Sequence, residues 1–151
     1  MNYETVVPDL FERFPQFQDV WDTQFAYMGD EKSVQYMVFG SLLVPTLEEA
    51  LSSGNLGVIL PICAFLEDVA LAAENDSSLE GLLRIEVGEW LGGAANESLL
   101  APWLGTETKR ICRYVPGLAT QRIALRVEQK GRSLSNWFSS FLKQLRSKSY
   151  R

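Results

Sequence analysis

The sequence predicts an all-α fold. It reads as a single-domain antiparallel helical bundle, or short solenoid-like array, of about six to eight helices, with a basic amphipathic C-terminal helix docked on it. Three observations predict this. Apolar residues recur three and four apart over most of the 151-residue chain, the period of one helix face. Breaks fall at Gly29-Asp30, Ser53-Gly54-Asn55, Gly92-Gly93 and Pro116-Gly117, leaving segments of helix length between them. Charge is divided along the chain: residues 1–105 carry 17 Asp/Glu and 3 Lys/Arg, and residues 106–151 carry 2 and 11, so a net −14 is joined to a net +9. Residues 1–112 are read as an acidic helical body and 113–151 as a basic helical extension. With 46% hydrophobic residues, a chain of this length can bury one cooperative core.

The elements follow in order. A short helical turn is expected over 8–13. Pro15 suits the first turn of the next helix, where a missing N–H costs nothing. Over 16–28, Phe17, Val20, Trp21, Phe25 and Met28 share a stripe opposite Asp19, Asp22 and Thr23. In 33–52 the seam is Met37, Gly40, Val44, Leu47 and Leu51, with Phe39 and Leu42 off it. Those two either pack on a second neighbour or offer an exposed apolar contact. Pro45 removes a backbone donor and is expected to kink or shorten this helix. Segment 56–74 is apolar nearly all round, the pattern of a buried central helix. Glu67, Asp68 and Glu74 crowd its C-terminal half, the unfavourable dipole end for anions, and call for something basic to meet them.

Ser77 and Glu80 match a capping box for a helix over 78–91, with Leu79, Leu82, Leu83, Val87, Trp90 and Leu91 as its stripe. Glu86 falls inside that stripe, so its carboxylate must be paired, hydrogen-bonded or left at the edge of the core. Asn96 is expected to cap a short helix through Trp103. Another restarts at Gly105-Thr106 and runs to about Tyr114. Segment 121–128 alternates like a strand but has no second strand to pair with, and is read as helix by context. In 133–148, Leu134, Trp137, Phe138, Phe141, Leu142 and Leu145 make a continuous apolar stripe, with Lys143 and Arg146 on the polar side.

Composition limits the chemistry. The chain has no histidine, which removes Ser-His-Asp and Cys-His catalysis and imidazole ligands. It also lacks GxGxxG and GxxxxGK[ST] phosphate loops. Cys63 and Cys112 are too few for a disulfide scaffold or a zinc site and are read as packing residues. Glu86 and Glu89 are the one obvious carboxylate pair, of a kind usually inert on a helix surface. The chain is therefore expected not to be an enzyme, and no cofactor or metal is implied. The acidic N-terminus lacks signal-peptide features, so a cytoplasmic location is expected. The uncharged run between Glu49 and Glu67 reads as too polar and broken for a bilayer span.

Several segments taken together resemble a known family: FPQFQDVWD at 14–22, FGSLLVPTLEEAL at 39–51, ICAFLEDVA at 62–70, GLLRIEVGEWLGG at 81–93 and LLAPWLGTETKR at 99–110. They resemble small, acidic, helical bacterial proteins of the toxin-immunity type. The resemblance covers about residues 10–112 and rests mostly on core and cap positions, so it speaks more to fold than to function. It implies a bacterial immunity protein that binds and neutralises a cognate toxin or effector through protein–protein interaction. No site residue is carried over from it.

An inhibitor of this type would be steered by its acidity to a cationic cleft on the toxin. The densest acidic stretch, Glu67, Asp68, Glu74, Asp76, Glu80, Glu86 and Glu89, is the candidate partner-binding surface. The alternative is a nucleic-acid- or anionic-surface-binding adaptor acting through the basic C-terminal region, from Arg110 and Arg113 to Lys143 and Arg146. The −14 body repels phosphate, so nucleic acid is disfavoured and no membrane partner is expected. The apolar stripe beyond residue 133 needs a surface to cover it, and the economical surface is the acidic body.

Overall fold

Helical spacing in the sequence becomes helix through most of the described residues, although the helix expected through Trp103 ends at Leu100 and the next ends at Ile111. The computed structural model describes residues 1–25 and 34–113. The elements are α1 (Val6–Arg13), α2 (Pro15–Gln24), α3 (Val34–Val38), a π-turn (Phe39–Leu43), α4 (Val44–Ser53) and α5 (Leu56–Ala72). A 3₁₀ turn (Ala73–Asn75), α6 (Ser77–Leu82), a second π-turn (Leu83–Gly88), α7 (Glu89–Leu91), α8 (Ala94–Leu100) and α9 (Thr106–Ile111) follow. No strand occurs among the described residues, and the arrangement is an all-α helical bundle. The expected basic helix over 133–148, segment 121–128, and the break at Gly29-Asp30 lie outside the described residues.

The buried side chains form one contiguous cluster running from Val6 in α1 to Ile111 in α9. Phe65 of α5 lies near its centre. Phe14 meets it edge-on at 6.0 Å, and Phe39 lies 6.4 Å away across the cluster. Such aromatic geometry adds about 0.5–1.5 kcal/mol per pair beyond area burial. Ile59, Ile62, Leu66 and Val69 complete the inner face of α5, which packs against α4, α6 and α9.

Several local expectations change. Phe39 and Leu42, off the seam in sequence, are buried with Val38 and Leu43, whereas Met37 and Gly40 are only partly buried. The π-turn is the reason. Val44 N–H bonds to Phe39 C=O five residues back, and the extra residue rotates the apolar face by one position. The wider turn sits directly before Pro45, which has no N–H of its own to donate. The helix therefore runs on through 34–53 rather than stopping.

The cap of α6 is Asp76, not Ser77. Its Oδ1 accepts from Ser78 N–H and Leu79 N–H at 3.0 and 3.3 Å, and its Oδ2 accepts from Tyr3 N–H at 2.8 Å. Asp76 has the extended backbone an N-cap requires, whereas Ser77 is already helical. Asn96 caps nothing. It lies within α8, and its Nδ2 donates to Trp90 C=O. Gly54 ends α4 in the left-handed conformation at φ 65°, as the Ser-Gly-Asn break implied.

The largest change concerns α5. Its inner face is core, but Leu56, Gly57, Leu60, Pro61, Ala64 and Leu71 make an exposed, largely apolar outer face. Leu60 and Leu71 keep 45% and 51% of their surface, so α5 is not buried on all sides. With the 3₁₀ turn it forms 20 helical residues, within which an 18-residue window has a mean hydropathy of 2.0, long and apolar enough by length and composition to cross a membrane. This segment starts within the uncharged run between Glu49 and Glu67 and extends beyond it, past Glu67 and Asp68. The core helix of a soluble protein meets the same criteria, and 44% of that window is buried against its neighbours.

The Asp76 cap gives a direct stability test. Asp76→Ala removes two cap bonds and the anchor of the N-terminal turn, and is expected to lower unfolding stability by about 1–2 kcal/mol. Ser77→Ala is expected to fall within about 0.5 kcal/mol of the parent chain. Urea titrations of both measure this, and a larger loss for Ser77→Ala would restore the capping-box assignment.

Candidate functional site

The acidic stretch from Glu67 to Glu89 spans the end of α5, the turn after it, and α6 through the second π-turn to α7. Its carboxylates meet different fates. Glu67 is committed to α9. It accepts from Glu107 N–H at 3.0 Å, Thr108 N–H at 2.9 Å and the Thr108 hydroxyl at 2.8 Å. Gly105 leaves room for it, since a Cβ there would overlap the Glu67 carboxyl. Burial pulls the Glu67 pKa up, but the hydrogen bonds from Glu107, Thr108 and Thr106 outweigh it and hold the group below its ordinary value. The side chain thus caps α9 from across the bundle, a role its sequence neighbours gave no sign of.

Asp68 pairs with Arg13 at 2.7 Å, and Arg13 also lies over the Phe65 ring at 5.5 Å. Glu74 is exposed. With Glu80 it raises the Arg110 pKa, after the larger effect of the Arg110–Glu107 pair at 2.6 Å. The basic element that the acidic end of α5 called for is therefore inside the molecule: Arg13, the N-terminus of α9, and Arg110. Asp76 is held below its ordinary pKa, first by the Tyr3 N–H bond, against a smaller upward pull from burial and with help from Leu79 and Ser78. Glu80 lies 3.8 Å from Arg84 one turn on.

Glu86 and Glu89 differ from the rest. Glu86 is half-buried at the contact between the two π-turns, its carboxylate lying over Gly40. Neither residue makes a side-chain ion pair or hydrogen bond among the described residues. Burial, and then the charge of Glu89, raise the Glu86 pKa. Of the outcomes open to a carboxylate in this stripe, the fold adopts the edge of the core. Glu74, Glu86 and Glu89 are thus the members of the stretch with no short-range partner, while Glu67, Asp68 and Asp76 tie distant elements together and Glu80 makes only a local exposed pair.

A second acidic surface lies between α1 and α2. Val7, Phe11 and Pro15 line a cleft of about 530 Å³, rimmed by Glu12 and Asp19. Neither rim carboxylate has a side-chain partner among the described residues, whereas the nearby Asp22 accepts from Gln18 at 2.7 Å. Trp21 and Phe25 stack at 5.3 Å on the same helix, both half-buried. Sequence reasoning placed Asp19, Trp21 and Phe25 on faces of one helix but missed the cleft. The available signal was Pro15, which forces the chain to turn between two amphipathic helices and leaves a groove between them.

The two cysteines are not reactive centres. Burial pushes the Cys63 thiol up to about 11 and the Cys112 thiol up to about 12, so neither is a thiolate at neutral pH. Cys112 packs against Gly88 and points its thiol at Leu83 C=O, 3.6 Å away. Among the described residues no group of three or more His, Cys, Asp or Glu side chains is placed to hold a metal ion. No family model matches the chain, and neither a curated protein nor a solved structure matches it.

The opposite pKa shifts of Glu67 and Glu86 predict opposite pH effects. The Glu67 contribution is complete above its unfolded pKa, near 4.3, and is lost as pH falls through the lower folded value. Glu67→Gln is expected to lower stability by about 1–2 kcal/mol at pH 7 and to flatten the loss of stability in acid. Gly105→Ala disturbs the same contact, so the double variant is expected to be less destabilised than the two losses added. Glu86 has a raised pKa, so its contribution is present at low pH and lost as pH rises through the folded value. Glu86→Gln is expected to stabilise the chain at pH 7 by roughly 0.5 kcal/mol at most, because solvent screens a half-exposed charge. Urea unfolding from pH 3 to 8 measures all of these, and a destabilised Glu86→Gln chain at pH 7 would contradict the assignment.

Proposed function

We propose that this chain is an immunity-type binding protein that neutralises a cognate protein toxin or effector by covering a cationic surface on it. One observation carries the reading. The described residues hold sixteen acidic and five basic side chains, so internal pairing leaves a large acidic surplus at the surface. A surplus of one sign accelerates association with an oppositely charged partner and disfavours phosphate-bearing ones. The resemblance of residues 10–112 to toxin-immunity proteins points the same way.

Glu74, Glu86 and Glu89 are the proposed recognition residues of the 67–89 stretch, because binding them breaks no internal bond. Glu67, Asp68 and Asp76 contribute by holding the surface in shape. Glu86 has a further property suited to recognition. Its charge is uncompensated in the free chain, so a partner cation there meets a carboxylate that gains from being paired. On this reading the mechanism is occlusion, with no bond made or broken.

The test is co-expression with the product of the adjacent gene, followed by binding measurements at two salt concentrations. The chain is expected to relieve the toxicity of that product and to co-purify with it. Charge reversal at Glu86 and Glu89 to Lys is expected to weaken binding about ten-fold or more at low salt and to reduce its salt dependence. Toxicity unrelieved by the chain, or an affinity that ignores both salt and the reversal, would overturn the reading.

A further inference from the structure

The cleft between α1 and α2 combines an apolar floor with charge of one sign. Val7 and Phe11 of α1 and Pro15 of α2 make the floor, and Glu12 and Asp19 stand beside it, one on each helix. Both carboxylates are exposed, and neither has a side-chain partner among the described residues. Gln18 also lines the cleft, but its amide already donates to Asp22 at 2.7 Å. Among the described residues no cation lines it. Arg13, the one basic residue of α1 and α2, is held by Asp68 at 2.7 Å instead. We propose that this cleft docks a basic amphipathic helix of a partner protein. The apolar residues of that helix enter between α1 and α2, while a Lys or Arg at each edge of its stripe meets Glu12 and Asp19.

Three observations single out this occupant. The two free carboxylates belong to opposite walls, so complementary charge has to flank an apolar stripe on both sides, as long basic side chains do at the edges of an amphipathic helix. Val7 and Phe11 lie one turn apart on α1, so the floor runs along a helix and suits apolar side chains spaced three or four apart. The floor is also backed from behind. The Phe11 ring lies 6.5 Å from Trp21, which stacks on Phe25 at 5.3 Å, so the surface is formed before anything binds. A cleft of about 530 Å³ falls within the range of about 300–1,000 Å³ typical of preformed binding sites.

Other occupants and other surfaces fit less well. The rim repels an anionic lipid surface, and a second copy brings the same acidic surplus, sixteen acidic against five basic side chains among the described residues. The outer face of α5 is apolar, but its Asp68 is already paired with Arg13. The cleft where α6, the second π-turn and α7 meet the end of α9 includes Glu89, but Arg84 and Arg113 line it too and oppose a basic helix. Glu74, Glu86 and Glu89 do not line the α1–α2 cleft, so this inference stands whether or not those residues bind a toxin.

The probe is a synthetic helical peptide of about fourteen residues, about 21 Å long, with Leu along one face and Lys at both edges of it. It is titrated into the intact chain by calorimetry, and the contact is mapped by zero-length carbodiimide coupling and mass spectrometry. Saturable one-to-one binding is expected, with the peptide lysines coupled to Glu12 and Asp19. A permuted peptide of the same composition, its Leu stripe scattered, is expected to bind about ten-fold more weakly or worse. Both rim residues are exposed, so Glu12→Lys/Asp19→Lys leaves the core intact and is expected to weaken binding about ten-fold or more. Glu48→Lys/Glu49→Lys makes the same change of net charge on exposed positions of α4 and is expected to cost less than about two-fold. No binding, equal binding of the permuted peptide, or equal losses in the two charge-reversed chains would overturn the proposal. So would peptide coupling mainly to other carboxylates. Coupling of the chain's own lysines to Glu12 and Asp19 in place of the peptide's would assign the cleft to the chain itself and overturn it too.

Discussion

The carboxylate of Glu67 on the N-terminus of α9 is the contact on which much of the bundle depends. Without it, an acidic side chain would sit at the negative end of α5, and a six-residue helix would begin with unsatisfied N–H groups. Together the two problems cancel. The contact pins α9 across α5, which buries Thr108 and Ile111 and brings Cys112 against Gly88. It also requires Gly105, because any side chain there would occupy the place of the carboxylate. A short helix is marginal by propensity alone, and here a tertiary bond supplies what length does not.

The paired π-turns are the second organising feature. One absorbs the missing donor of Pro45 and turns Phe39, Leu42 and Leu43 into the core. The other, Leu83–Gly88, touches the first and carries Glu86 to Gly40. A glycine at 40 permits this approach, and Glu86 rests there with its charge uncompensated. Such turns are energetically poorer than regular helix and persist where the surroundings favour them. Here they combine a tight helix–helix contact with a carboxylate held at the edge of the core.

Charge then sorts by role. Cations are few in the described body, and Arg13 and Arg110 meet acidic groups that cluster at the end of α5. These contacts and the helix caps use carboxylates that sequence alone would assign to a partner. The exposed remainder, on α1, α2 and the α6–α7 segment, is where an external cation gains most. This acidic surplus supports the proposed recognition of a basic toxin.

How far the sequence could be read follows from how local each signal is. Helix content, the Pro15 start, the Gly54 stop, the α4 residues Val44, Leu47 and Leu51, and the packing role of Cys63 rest on spacing and side-chain chemistry within a few residues, and all are found. The Ser77 cap failed because two adjacent residues, Asp76 and Ser77, both suit a cap, and the anchor to Tyr3 lies far away in sequence. Phe39 and Leu42 pack rather than face solvent, the first of the two readings open to them, but the seam through Met37 and Gly40 shifted because one inserted π-turn residue changes the periodicity, and only packing selects that insertion. Among the seven acidic candidates, sequence registered density but not commitment. The sequence by itself determined the helical character of the described residues, the order of their elements and the separation of charge along the chain, because these depend on neighbours along the chain. Only the tertiary structure decided which carboxylates bind α9, Arg13 and the cap of α6 and which stay open, because those partners are brought together from distant segments by burial of the shared core.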